Sequence, residues 1–260
     1  MAKSPEKGIR MEQVCYSVGG RTILRDFNLT LEPGINRTIL GVSGVGKTTI
    51  LKLILGLLRP DSGSITIDGA DIGRMGEREL NRARKHISIV FQGGALFDSM
   101  TVGENVAYRL LEEGDLGEAE IERIAMEKLG FVGLEQAMDL YPAELSGGMK
   151  KRVAIARALA ADPEYIFFDE PTTGLDPIGV YNIQQLMLGL QRQGKTTLMV
   201  THDMPTAFAV SDRFSFIHDA RLIFEGTRGE MEASNLVEIA EFFSPSEVSL
   251  FKFANRQEET

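Results

Sequence analysis

The sequence predicts an α/β fold in which strands alternate with helices along the chain and form a mostly parallel β-sheet. Three features carry this prediction. Short apolar segments bounded by Gly, Pro and Asp alternate with segments of helical periodicity along most of the chain. The first forty residues contain only strand-like segments and turns, which predicts an antiparallel β edge. Residues 92–161 are helical in pattern throughout, which predicts an inserted α-helical subdomain.

The individual elements follow from the same patterns. Before the insertion, strands are expected at 14–18, 27–31, 37–40, 64–67 and 86–91, and helices at 47–58 and 77–85. Within and after it, helices are expected at 102–111, 117–130, 147–160 and 177–193, and strands at 165–168, 196–200 and in a pair around 214–225. We therefore expect a core domain made of residues 1–91 and 162–228, a helical subdomain of residues 92–161, and a C-terminal helix and tail of residues 229–260.

Composition and charge exclude several classes of function. The chain has 260 residues, 43% hydrophobic and 25% charged, which is typical of a globular protein with a substantial core. Its 37 acidic and 28 basic residues give a net charge of −9, which disfavours a general nucleic-acid binder. The single cysteine excludes an internal disulfide framework and a cysteine-rich zinc site.

No segment of the sequence is expected to cross a membrane. The first ten residues are polar and lack the apolar stretch of a signal peptide. The most apolar run, residues 50–58, is shorter than the about 20 residues that a spanning helix needs, and it contains Lys52. We therefore expect a soluble chain, which can still bind a membrane as a subunit of a larger assembly.

A glycine-rich turn after the strand at 37–40 matches the phosphate-loop pattern G-x-x-x-x-G-K-[ST]. Glycines let successive backbone N–H groups point at phosphates, and the dipole of the following helix adds positive potential. The lysine places a charge on the phosphates, and the hydroxyl after it ligates Mg²⁺. The residues predicted to bind are Gly41, Ser43, Gly44, Val45, Gly46, Lys47, Thr48 and Thr49.

Two carboxylates end the apolar strand at 165–168. Ligands bind at the carboxyl edge of parallel sheets, so this is where acidic side chains can reach a nucleotide. Asp169 is predicted to hold Mg²⁺ through water, which complements Thr48. Glu170 is predicted to act as general base on the attacking water.

A serine and two glycines open the helix expected at 147–160. Ser146 suits an N-cap, and Gly147 and Gly148 allow close approach by another group. Taken alone, this is a capped helix. Because it follows a helical insertion and shortly precedes the acidic strand, it resembles the signature sequence of ATP-binding cassette (ABC) proteins. The chain departs from that signature at Met149, where glutamine is usual, and methionine cannot make the hydrogen bonds of glutamine.

Four further residues match the ABC pattern in its usual order. Tyr16 matches the aromatic residue that stacks on adenine, Gln92 the Q-loop glutamine, Asp176 the D-loop aspartate and His202 the switch histidine. The resemblance covers approximately residues 8–230. It implies an ABC-type P-loop NTPase with a RecA-like mixed-sheet core that binds and hydrolyses ATP with Mg²⁺.

The resemblance also implies roles and partners for these residues. The expected assembly is a homodimer that closes each ATP between the phosphate loop of one subunit and Ser146, Gly147 and Gly148 of the other. Gln92 is expected to sense the γ-phosphate or water at the contact with a multi-span permease, and His202 to hold the γ-phosphate and the catalytic glutamate together. The Mg²⁺ ligands expected are Thr48, Gln92 and Asp169.

Local sequence narrows the type of cassette. The segment 91–98 after the Q-loop strand, the residues 106–108 and Met149 resemble the ATPases of MCE/Mla-type phospholipid transporters. That resemblance implies phospholipid transport between the bacterial inner and outer membranes. It also implies an MCE-domain lipid-binding partner and a peripheral position on the cytoplasmic face of the inner membrane.

Three other types of protein are alternatives to this interpretation. The first alternative is the ATPase of another bacterial importer or exporter. The second is a non-transport cassette that handles DNA ends, ribosomes or cell-division machinery. DNA-end cassettes usually place long coiled coils between the two nucleotide motifs, and no heptad run lies between Lys47 and Asp169. A phosphate-loop kinase ranks last, because it has no use for the signature or for His202.

The end of the chain carries a separate prediction. Residues 235–243 have the spacing of an amphipathic helix, and Ser244 to Glu247 has the form of a capping box with Pro at the first helical position. The apolar residues in 248–253 follow. This segment either packs back on its own domain or, as we hypothesise, docks on the partner ATPase or another subunit.

Overall fold

The computed structural model describes residues 7–243. Its strands are β1 (Ile9–Val18), β2 (Arg21–Leu31), β3 (Asn36–Leu40), β4 (Ser62–Ile67), β5 (Ala70–Asp71), β6 (Ile87–Val90), β7 (Tyr165–Asp169), β8 (Thr196–Thr201), β9 (Arg213–His218) and β10 (Arg221–Gly226). Its helices are α1 (Lys47–Ile54), α2 (Glu77–Arg84), α3 (Val102–Glu113), α4 (Glu118–Phe131), α5 (Gly147–Leu159), α6 (Pro177–Arg192), α7 (Met204–Val210), α8 (Arg228–Glu232) and α9 (Val237–Phe242).

The strands form two sheets. The central sheet has six strands in the order β10-β9-β3-β8-β7-β6, and all neighbours are parallel except β9 and β10. The second sheet has the order β2-β1-β4-β5 and is antiparallel. The predicted α/β class, with a mostly parallel sheet, an antiparallel β edge and a helical insertion, is confirmed.

Two apolar cores lie on opposite faces of the central sheet. Side chains alternate between faces along a strand, and β7 shows this directly. Ile166 and Phe168 join the core that also contains helices α3 to α7. Tyr165 and Phe167 join the core formed with α1 and the antiparallel sheet. Continuous apolar strands are therefore required, because each central strand is buried on both faces.

Some elements differ from the sequence expectation. The helix expected at 47–58 ends at Ile54, because Gly56 adopts a left-handed φ of 64° and its N–H bonds to Leu53 in a tight turn. The helices α7 and α8 were not expected. The amphipathic helix expected at 235–243 is present as α9, whereas the capping box and the docking segment 248–253 lie outside the described residues.

Helices α3, α4 and α5 fall within residues 92–161, so the structure is compatible with a helical subdomain there, and the three-part division of the chain stays a prediction. Within residues 7–243, no helix is long and apolar enough to span a bilayer.

Candidate nucleotide site at the carboxyl edge of the central sheet

The central sheet brings three of the predicted motifs to one edge. Strand β8 lies between β3 and β7, and the three run parallel. Their carboxyl ends therefore meet, with the glycine-rich loop after β3, Asp169 at the end of β7, and Thr201 at the end of β8. The edge of such a sheet is where α/β proteins bind ligands.

The phosphate loop needs glycine for two different reasons. A Cβ on Gly41 would lie 2.8 Å from the carbonyl oxygen of Ile217, and a Cβ on Gly46 would lie 2.8 Å from Cγ2 of Ile23. A Cβ on Gly44 would instead meet no atom within 4 Å, so that position opens on space where a ligand can approach the backbone. The loop leads into helix α1, which begins at Lys47. The N–H groups in the first turn of this helix have no acceptor within it.

A cavity of about 280 Å³ lies over the start of α1. Its lining residues are Ile23, Ser43, Gly44, Gly46, Lys47, Thr48, Thr49, Gln92 and Glu170. A second cavity of about 430 Å³ adjoins it and shares Ile23, Ser43 and Gly44 with it. The donor set of helix N–H groups and one buried ammonium fits anionic phosphates, and the combined space fits a ligand of nucleotide size.

Thr48 and Asp169 form the candidate metal position. The Thr48 hydroxyl donates to both carboxylate oxygens of Asp169, at 2.9 Å and 3.1 Å. Hydroxyl and carboxylate oxygens are the ligands that Mg²⁺ prefers, so this pair fits that ion. Burial raises the pKa of Asp169, and the Glu170 charge adds to the effect, while the Thr48 hydrogen bond opposes it. A cation placed here would relieve the cost of the buried carboxylate.

Several polar groups hold the Glu170 side chain. Its backbone has a left-handed φ of 49°, which is strained for a residue other than glycine. Its Oε2 accepts hydrogen bonds from Thr201 at 2.9 Å and Thr173 at 3.4 Å. Its Oε1 lies 2.9 Å from Nδ1 of His202 and 3.5 Å from Nζ of Lys47. Four polar groups therefore fix one carboxylate.

These contacts keep the Glu170 carboxylate ionised. Burial alone would raise its pKa, but hydrogen bonds from His202 and Thr201, together with the Lys47 charge, hold that pKa below the usual range. For Lys47 the balance is reversed, because burial lowers its pKa more than Glu170 raises it. Lys47 Nζ also donates to the Gly41 carbonyl at 2.7 Å. Phosphate oxygens entering the cavity would compete with these internal partners for the ammonium.

The remaining predicted residues lie outside the phosphate cavity, except Gln92, which lines it. Tyr16 is half-buried and packs against the core of the antiparallel sheet. Ser146 and Asp176 cap α5 and α6, where they accept hydrogen bonds from Met149 N–H at 3.3 Å and Gly179 N–H at 2.7 Å. One chain thus brings together its phosphate loop, its acidic strand end, Gln92 and His202, but not its signature.

Three residues of this region were missed by the sequence reasoning. Thr201 holds Glu170, and its position one residue before His202 at a strand end was the available signal. Lys151 donates to two carbonyls of the loop that follows Glu170, and no sequence pattern indicates this. Arg157 donates to the carbonyls of Gly94 and Ala95, at 2.8 Å and 2.7 Å, beside Gln92.

Comparison with known proteins identifies the family. The family described as ABC transporter matches residues 24–173. The intermembrane phospholipid transport system ATP-binding protein MlaF of Haemophilus influenzae is 41% identical over 90% of this chain and 89% of its own length. The chain belongs to the ABC transporter family. MlaF of Escherichia coli K12 is 39% identical over 90% of the chain and 87% of its own length.

Two further relatives extend the comparison of this ABC cassette. A probable ribonucleotide transport ATP-binding protein, mkl, of Mycobacterium tuberculosis is 37% identical over 96% of the chain and 70% of its own length. The dimeric ATP-binding cassette MJ0796, in a post-hydrolysis state bound to ADP and Pi, superposes with a TM-score of 0.77 at 34% identity, covering 84% of this chain and 98% of that one. The ABC cassette described here is therefore an ATPase, and nucleotide is its substrate.

Proposed function

We propose that this ABC cassette is the ATP-hydrolysing subunit of a transporter that moves phospholipid between the inner and outer membranes of a bacterium. The observation that carries the proposal is the similarity to two MlaF proteins, each named for intermembrane phospholipid transport, over about nine-tenths of both chains. The arrangement of Lys47, Asp169, Glu170 and His202 at one sheet edge supports the chemistry.

Each residue of the edge has a distinct task in this proposal. The loop N–H groups and Lys47 bind the β- and γ-phosphates of ATP. Thr48 and Asp169 would hold Mg²⁺, with Gln92 facing the same cavity, and the ion would supply positive charge to the phosphates. His202 orients Glu170 through the 2.9 Å contact with Oε1.

The contacts of Glu170 indicate how its carboxylate becomes able to bind the attacking water. A carboxylate offers about four acceptor positions. Hydrogen bonds from Thr201, Thr173 and His202 use three of them, and the Lys47 ammonium lies 3.5 Å from Oε1, beside the fourth. When Lys47 turns to the phosphates, a position on Oε1 is freed. A water can then donate to that position. Glu170 takes its proton as the water oxygen attacks the γ-phosphorus, and the bond from that phosphorus to the β–γ bridging oxygen breaks, so that ADP and phosphate are the products.

The signature residues would act on the ATP of a second copy of the chain. In one chain, Ser146, Gly147 and Gly148 do not line the phosphate cavity. A Cβ on Gly147 would meet nothing within 4 Å, so the start of α5 is open to an approaching group. A helix N-terminus of this kind binds phosphate. MJ0796, whose fold is similar, is dimeric, which supports a homodimer here.

A permease contact fits the surface beside Gln92. Phe97 leaves 40% of its surface exposed, its ring centroid lies 4.6 Å from that of Tyr108, and the Arg157 guanidinium lies 5.8 Å from the ring. This aromatic surface can receive a helix of a multi-span permease and pass its movement to Gln92. The proposed assembly includes an MCE-domain lipid-binding protein and sits peripherally on the cytoplasmic face of the inner membrane.

A second candidate function is the ATPase of another bacterial importer or exporter. It is favoured by the similarity to mkl, which is named as a probable ribonucleotide transport protein and matches 96% of the chain. The residues of the phosphate cavity do not separate the two candidates, since both cargoes would be handled elsewhere in the assembly.

The assembly is tested by affinity purification of the tagged chain from detergent-solubilised membranes, with mass spectrometry of proteins and lipids. We expect a multi-span permease, an MCE-domain protein and phospholipid. A permease recovered with a soluble binding protein would favour the second candidate. Recovery of soluble partners alone would refute the transport proposal.

The chemistry is tested by Glu170→Gln. The amide keeps the shape of the side chain, with its oxygen accepting from one of Thr201 and His202 and its NH2 donating to the other. It cannot take a proton, so ATP binding should persist and turnover should fall by about 100-fold or more. The matched control is Glu164→Gln, an exposed glutamate on the preceding loop that lies outside the cavity. Near-normal turnover of Glu170→Gln would remove Glu170 from the role of base.

A further inference from the structure

Lys151 is a buried cation that the mechanism above leaves unused. It lies in the first turns of α5 with 8% of its surface exposed. Its Nζ donates to the Pro171 carbonyl at 2.9 Å and to the Thr173 carbonyl at 2.6 Å. Both acceptors belong to the loop directly after Glu170. A signature helix and a catalytic loop are thus joined through one ammonium group.

The burial of this ammonium has a cost that its surroundings only partly offset. Burial lowers the pKa of Lys151, and attraction to the Glu170 carboxylate opposes that effect. A lysine held in such a place by two carbonyls fixes the geometry of the loop, because any movement of the loop would leave a buried charge without acceptors.

The loop in turn orients the catalytic glutamate. Thr173, whose carbonyl Lys151 binds, donates its hydroxyl to Oε2 of Glu170 at 3.4 Å. Between the two carbonyls that Lys151 binds, the Thr172 hydroxyl donates to Asp203 at 2.9 Å, so each of three consecutive loop residues has a partner. The left-handed backbone at Glu170 lies directly before these three residues. A strained residue keeps such a conformation only while its neighbours fix it.

The other end of the connection is the start of α5. Gly147 and Lys151 are one helical turn apart, so a displacement of the helix N-terminus moves the lysine with it. In the proposed dimer, that N-terminus touches the ATP held by the partner subunit. The two nucleotide sites of a dimer are therefore connected through one rigid turn.

We propose that Lys151 is a positioning residue that ties the start of α5 to the loop after Glu170, so that engagement of the partner's ATP sets Glu170 for the ATP of its own subunit. The inference rests on the proposed function, because it needs the signature to act across a dimer. Beyond the proposed function, the inference specifies that Lys151 acts on Glu170 of its own chain and not on that of the partner subunit.

The experiment uses full-length chains in the purified transporter, as mixed dimers isolated with two affinity tags. Lys151→Met removes the charge and both hydrogen bonds but keeps an unbranched side chain. Lys151→Arg keeps charge and donors. Lys150→Met is the matched control, because this neighbouring lysine donates to neither carbonyl. Glu170→Gln in one subunit leaves a single active site, whose turnover is measured against ATP concentration.

The placement of Lys151→Met decides the outcome. In the subunit that retains Glu170, it should lower kcat about 10- to 100-fold with little change in KM, as expected for a misplaced catalytic group. In the subunit that already carries Glu170→Gln, it should change turnover less than twofold. Lys150→Met in either subunit should have little effect, and Lys151→Arg should restore most of the rate.

Three results would overturn the inference. One is an unchanged kcat when Lys151→Met accompanies the active glutamate. Another is a loss of rate only when the substitution lies in the Glu170→Gln subunit, which would place its effect on the partner's ATP. The third is an equal loss with Lys151→Arg. If Ser146→Ala in one subunit slows only its own site, the cross-dimer arrangement of the proposed function fails, which is a distinguishable result.

Discussion

Thr201→Val tests how Glu170 is held. The Thr201 side chain is fully buried, donates to Glu170 Oε2 at 2.9 Å and accepts from the Asp203 N–H at 3.0 Å. Valine keeps the shape but removes a bond to an ionised acceptor and leaves the Asp203 N–H unpaired. These losses should lower the free energy of unfolding by about 2–3 kcal/mol. For a chain of this size, that is a fall in Tm of about 4–12 °C.

The same substitution should slow catalysis without weakening ATP binding. Thr173, at 3.4 Å, would be the remaining group that fixes Oε2, so kcat should fall about tenfold, while KM should stay within about twofold because Thr201 does not line the phosphate cavity. Phosphate release against ATP concentration and thermal unfolding measure both effects.

Thr201→Ser is the matched control. It keeps the hydroxyl and removes one methyl group, worth about 1 kcal/mol. If Thr201→Val and Thr201→Ser turn over ATP at the same rate, the hydroxyl does not orient Glu170 and the reasoning is refuted.

Three other substitutions have expected outcomes. Because burial raises the pKa of Asp169, its ionised form destabilises the folded chain above the usual aspartate range. Asp169→Asn should therefore raise Tm at pH 7 in EDTA, lose that gain in acid, and abolish stabilisation by Mg-ATP. Gly147→Ala should keep or raise Tm, since its Cβ meets nothing within 4 Å, yet lower ATP turnover. Arg157→Ala removes the bonds to Gly94 and Ala95, and should lower transport-coupled turnover while calorimetry finds unchanged ATP affinity.

Each of these has a contrary result. A lower Tm for Asp169→Asn in EDTA would mean that the carboxylate stabilises the fold. Full turnover with Gly147→Ala would mean that no phosphate approaches the start of α5. Weaker ATP binding by Arg157→Ala would place its role at the nucleotide and not at the turn beside Gln92.

The predictable part of the structure was encoded locally. The phosphate loop, the apolar strand before Asp169 and the cap at Ser146 are each specified within about ten residues of sequence, and parallel strand order then brings the ends of β3, β7 and β8 together. The position of the phosphate loop and Asp169 at one edge of the sheet followed from the predicted fold class, because parallel strands end at the same edge. Gly56 was also a local signal, but the apolar periodicity of residues 50–58 concealed the end of α1.

The unpredicted part depends on contacts between distant segments. Lys151 reaches a loop twenty residues further along the chain, and Thr201 reaches Glu170 across a gap of 31 residues. A lysine in the second turn of a helix and a threonine at a strand end are common in any protein. Only the packing of α5 and β8 around the end of β7 gives those two side chains a place at the site.

The internal partners of Lys47 and Thr48 bear on how fast the cassette can exchange nucleotide. The Lys47 ammonium is paired with the Gly41 carbonyl and the Glu170 carboxylate, and the Thr48 hydroxyl with Asp169. When ADP and phosphate leave, Lys47 and Thr48 can therefore pair again with these internal partners, so the charge of Lys47 is not left unpaired. Because these internal contacts compete with the phosphates, they lower the affinity for nucleotide and favour product release, which an ATPase needs in order to turn over repeatedly.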